Sequence, residues 1–94
     1  MSIRNPYSGR YVRVDTPIGR KVSEISENMP DFIKGWKVEE LKERLKHVGH
    51  EDFTLEIIRE DVFYAQMVYF INLLNLFSSE QIDELLSSMD KLSL

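Results

Sequence analysis

The run from Val62 to Phe77, VFYAQMVYFINLLNLF, constrains the fold more than any other stretch of the chain. Thirteen of its sixteen residues are apolar or aromatic, and only Gln66, Asn72 and Asn75 interrupt. A surface helix carries one apolar stripe, whereas a helix apolar nearly all round is covered on most sides. In a chain of 94 residues such a helix is either the centre of the fold or half of a subunit contact. The run is too short for a bilayer, which takes about 20 predominantly apolar residues, and Glu60, Asp61 and Glu80 give it acidic flanks.

Helical signals surround it. A helix is predicted from about 53 to 77, with charged first turns (Glu56, Arg59, Glu60, Asp61) and one narrow strip of polarity through Asp61, Asn72 and Asn75. Val38, Leu41, Leu45 and Val48 mark a helix over 37–48, with surface pairs Glu40–Arg44, Glu39–Lys42 and Glu43–Lys46 and with Gly49 as its left-handed stop. Ser78 with Gln81 forms a capping box, and Phe77 with Ile82 a hydrophobic staple. They start a helix over 78–92 whose apolar face is Ile82, Leu85, Leu86, Met89 and Leu92. Before these, Val22, Ile25 and Met29 recur at helical spacing behind Ser23 as N-cap, and Pro30–Lys34 forms a short turn ended by Gly35.

The N-terminal region reads differently. Asn5-Pro6-Tyr7-Ser8-Gly9 and Thr16-Pro17-Ile18-Gly19 both fit β-turns, and Tyr11–Val14 alternates like a strand. Pairing with 20–22 would make a small hairpin. Residues 1–21 carry five basic side chains against Asp15 alone, and the rest carries seven basic and fifteen acidic, so a basic arm precedes an acidic body.

Catalytic signatures are missing. The chain has no cysteine, which excludes disulfides, thiolate metal sites and thiol nucleophiles. His47 and His50 stand three apart before Glu51 and Asp52, but Gly49 separates them from a common helical face, so no metal site is expected. The carboxylates fall opposite apolar stripes, as solvated faces do, and no nucleophile elbow or phosphate loop is present. No enzyme activity and no cofactor are expected. Trp36, beside Gly35, reads as a core anchor, with an interface hot spot as the alternative.

Two short strings resemble known families. Asn5-Pro6-Tyr7-Ser8-Gly9-Arg10-Tyr11-Val12 resembles the NP-x-[ST]-GR-x-[IV] signature of the two-cysteine adaptor domain of large DNA viruses, over eight residues and without the two cysteines. Residues 37–45, KVEELKERL, look like the first helix of SAP-type DNA-binding modules, which implies DNA contact; an acidic segment, 51–61, stands where such a module has a short basic helix. The short–long–short helix series is also similar in shape to the histone-fold handshake dimer.

The expectation is a mostly α, small helical single domain: an N-terminal basic arm or short β-hairpin over 1–21, then a helical unit over 22–94. Too few segments exist to cover the apolar helix, so a homodimer is expected with Phe63, Met67, Phe70, Ile71, Leu74 and Phe77 in contact. The function expected is a non-enzymatic protein-interaction module, an adaptor, regulator or inhibitor with a protein partner. The alternative is nucleic-acid contact through Arg4, Arg10, Arg13, Arg20 and Lys21 with Tyr7 and Tyr11. Without a signal peptide, a membrane-length segment or cysteine, a cytoplasmic, membrane-free protein is expected.

Overall fold

The computed structural model describes residues 1–78 together with 80, 81, 83 and 84. The chain starts as an antiparallel hairpin of β1 (Ser2–Arg4) and β2 (Tyr11–Arg13), with Ser2 opposite Arg13, Ile3 opposite Val12 and Arg4 opposite Tyr11. Asn5 makes the reversal. Its N–H donates to the Arg10 carbonyl at 2.8 Å, its carbonyl accepts the Gly9 N–H at 2.7 Å, and its side-chain oxygen accepts the Tyr7 N–H at 3.0 Å. Gly9 sits at φ +76°, a conformation that glycine adopts without steric penalty.

This corrects the expected hairpin: β2 pairs backwards with β1 across the Asn5–Gly9 turn, not forwards with 20–22. The second turn string is a helix start. Thr16 is the N-cap and Pro17 the first residue of α1 (Pro17–Asn28), with the Thr16 hydroxyl oxygen accepting the Gly19 N–H at 3.1 Å and its O–H donating to the Arg13 carbonyl at 2.6 Å. Ser23 therefore lies inside α1, and the expected boundary between 21 and 22 falls within that helix. A Cβ at Gly19 would collide with the Arg13 carbonyl, so glycine is what lets the end of β2 rest on α1.

Pro30 opens α2 (Asp31–Lys34), Gly35 closes it, and α3 (Val38–His47) follows, with Gly49 beyond it at φ +88°. Of the expected pairs on α3, Glu43–Lys46 closes at 3.6 Å. Glu40 instead accepts the Lys37 N–H at 3.3 Å, and Arg44 turns to Trp36.

The helix expected over 53–77 is two helices, α4 (Leu55–Glu60) and α5 (Val62–Leu76). Asp61 breaks it. At φ −146° and ψ 78° it ends α4 and caps α5, its carboxylate accepting the Tyr64 N–H at 2.9 Å. An aspartate before an apolar run is an N-cap signal, and it outweighs helix continuation here.

α5 is the centre. Residues 65–71 and Leu73 are buried, and α1, α2, α3 and α4 all pack on it. Val22, Met29, Ile33, Leu41, Leu45 and Ile58 supply the facing side chains. Burying each of the larger ones is worth roughly 1.5–3 kcal/mol. One chain thus covers the middle of its own apolar helix, contrary to the shortage of cover expected. The Ser78–Gln81 capping box forms, each backbone N–H donating to the other's side chain at 3.0 and 3.3 Å. Glu80, Gln81, Asp83 and Glu84 are helical, as a helix over 78–92 requires, and its expected apolar face, Ile82, Leu85, Leu86, Met89 and Leu92, lies outside the described residues. Among the described residues no helix is long and apolar enough to cross a membrane.

Candidate interaction surfaces

The basic residues of the arm divide between structural work and solvent. Arg4 is half-buried: its Nε donates to the Gly9 carbonyl at 2.9 Å, its guanidinium lies 4.0 Å from the centre of the Tyr64 ring, and Nη1 is 3.9 Å from Asp61 Oδ2. It ties the hairpin turn to the start of α5. Arg13 is exposed and pairs with Asp15 at 3.0 Å. Arg10, Arg20 and Lys21 are exposed, as are Tyr7 and Tyr11. Between the hairpin and the start of α5 runs a cleft of about 380 Å³ whose walls include Ile3, Arg4, Tyr11, Phe63, Tyr64 and Met67.

The six residues expected at a subunit contact do not form one surface. Met67, Phe70 and Ile71 are buried within the single chain, because the surrounding helices reach the middle of α5. Phe63 is exposed at the start of that helix; Leu74 and Phe77 are each 39% exposed at its end, beside Leu76 at 58%. At 1.5 Å per residue the two ends are about 20 Å apart. Leu76 was not among the expected contacts, although its place at the end of the apolar run was visible in the sequence.

A third surface forms where α2 meets α3. Trp36 is half-buried; its ring meets Tyr69 edge-on at 5.0 Å and Phe32 at 6.0 Å, and the Arg44 guanidinium stands 5.3 Å over it. A groove of about 640 Å³ opens here, lined by Phe32, Gly35, Trp36, Glu40, Glu43, Arg44 and His47. Beneath it, buried Gln66 donates from Nε2 to the carbonyls of Lys34 at 3.0 Å and Trp36 at 3.4 Å, which fixes the connector. Burial pushes the Tyr69 phenol above its ordinary pKa of 10.0, and the positive charge of Arg44 pulls the other way.

His47 is exposed in the last turn of α3, and His50, past Gly49, rests its ring on Phe53 at 6.0 Å. Among the described residues no three histidine or acidic side chains come together as a metal-holding group. Sequence reading did not foresee Gln66 or Asn5 as organisers. Each was visible as a lone amide in an apolar or turn setting, but its partners were not. No family model matches this chain, nor does any curated protein or solved structure.

Proposed function

We propose that this chain is a non-enzymatic protein-interaction module, a small adaptor, regulator or inhibitor, that pairs with a second copy of itself through the end of α5. The observation that carries this reading is the exposure of Leu74, Leu76 and Phe77 within four residues at that end. Clustered large apolar side chains on a soluble surface mark contact sites more often than isolated ones do. A stable interface buries roughly 800 Å² per partner, so these three form its apolar centre and neighbouring polar surface forms its rim. The buried residues Phe70 and Ile71, one turn before Leu74 on α5, support the contact from within rather than touching the partner, and Met67 lies nearer the hairpin cleft.

The test is a charge placed in that centre. Leu76→Glu and Phe77→Glu should each convert the dimer to monomer at tens of micromolar while leaving the far-UV circular dichroism unchanged. A dimer that survives both substitutions overturns the assignment of the surface.

A second reading is nucleic-acid contact through the hairpin and the start of α1, favoured by the joint exposure of Arg10, Arg20, Lys21, Tyr7 and Tyr11. The internal ties of Arg4 and the acidic body weigh against it. Gel-shift titrations at two salt concentrations decide: a shift that weakens steeply with salt, and is lost on neutralising Arg10 and Arg20, supports this reading. Absence of any shift at low salt removes it.

A further inference from the structure

The groove beside Trp36 combines features that the dimer contact does not use. Its floor is aromatic, with Trp36 held edge-on between Phe32 and Tyr69. Its rim carries two carboxylates that are only lightly engaged. Glu40 accepts one backbone N–H at 3.3 Å, and Glu43 faces Lys46 at 3.6 Å in an exposed pair, a type worth about 0–1 kcal/mol. One cation, the Arg44 guanidinium, already stands 5.3 Å over the indole. The volume, about 640 Å³, is within the roughly 300–1,000 Å³ range of sites that enclose a ligand group.

An aromatic face bordered by carboxylates favours a weakly hydrated cation, because the ring quadrupole and the negative rim both attract it and little hydration is lost. The charged residues that line the groove, Glu40, Glu43 and Arg44, sum to one negative charge, and Lys46 faces Glu43 from outside the lining in an exposed pair. We infer that this groove binds an arginine side chain presented by a partner peptide, and that in the free protein Arg44 holds the place that this guanidinium takes. Arg44 is exposed and makes no ion pair among the described residues, so it can swing aside without breaking one. The inference stands apart from the dimer proposal, since it concerns α2 and α3 rather than the end of α5.

Trp36 is the single tryptophan of the chain, so its fluorescence reports on the groove directly. The probes are short alanine peptides, acetylated and amidated, that carry one central arginine, trimethyllysine or citrulline. The arginine peptide should give a saturable change in emission, and Arg44→Ala, which uncovers the indole, should bind it ~5-fold more tightly. Adding Glu40→Gln and Glu43→Gln to that variant should weaken binding by a similar factor, whereas the uncharged citrulline peptide should give no change. Tighter binding of trimethyllysine than of arginine would keep the cation site but overturn arginine as its ligand. No saturable change with either cationic peptide, in the wild type and in Arg44→Ala with its circular dichroism intact, overturns the proposal. So does equal binding of citrulline. Arg44→Gln serves as the second variant if Arg44→Ala does not fold. A monomeric wild type would remove the dimer proposal and leave these results unaffected.

Discussion

Gln66 is a polar side chain inside the apolar core, and its hydrogen bonds to the carbonyls of Lys34 and Trp36 make its burial tolerable. A buried carbonyl left without a donor costs about 1–3 kcal/mol. Gln66→Leu keeps the apolar contacts but removes the donor, so it should lower stability by about that amount in urea titrations and alter Trp36 emission in the folded state. A wild-type midpoint in that variant would mean that the two bonds carry no weight. Tyr69 gives a second test at the same scale. Its folded pKa is raised above 10.0 by burial, so the unfolded chain loses that proton first as pH increases. The contribution is fully present below pH 10 and is lost as pH rises from there through the folded pKa. Denaturation midpoints measured from pH 9 upward should fall more steeply for the wild type than for Tyr69→Phe. Parallel curves would count against a buried phenol.

At the scale of elements, Asp61 does most to shape the centre of the molecule. It ends α4, caps α5 and faces Arg4 from the hairpin. Asp61→Ala loses the cap and should cost about 1–2 kcal/mol, which at this chain length lowers Tm by about 4–8 °C per kcal/mol. Asp61→Asn keeps an oxygen for the Tyr64 N–H and loses only a long, partly exposed ion pair, so its cost should be below about 1 kcal/mol. Thermal melts of the two variants compare cap with charge directly, and equal losses would assign the effect to the ion pair.

What was legible among the elements followed from local signals. The α3 stripe with Gly49, the Pro30 and Gly35 bounds of α2, and the Ser78–Gln81 box all rest on neighbours within a few residues. The pairing of β2 was not legible, because either flanking segment satisfies its alternation and the choice was made by Asn5 and by the helix-starting Thr16–Pro17. The break at Asp61 was hidden because the same residue also fits the polar strip of one long helix. The Trp36 groove needed three-dimensional contacts: Tyr69 and Gln66 reach it from some thirty residues away along the chain.

At the scale of the whole molecule, an apolar helix that looked short of cover is wrapped over its middle by four helices of its own chain. The case for association therefore moves to the end of α5, where Leu74, Leu76 and Phe77 remain exposed. The charge asymmetry is met internally at one point, where Arg4 of the arm faces Asp61 of the body, whereas the Arg13–Asp15 pair lies within the arm. The most direct measurement is the mass of the wild-type chain by light scattering, followed by dilution from about 100 to 1 μM, a range typical of interfaces with a small apolar centre. The account predicts twice the 11.1 kDa chain mass at the upper end. A constant single-chain mass across the whole range would contradict it.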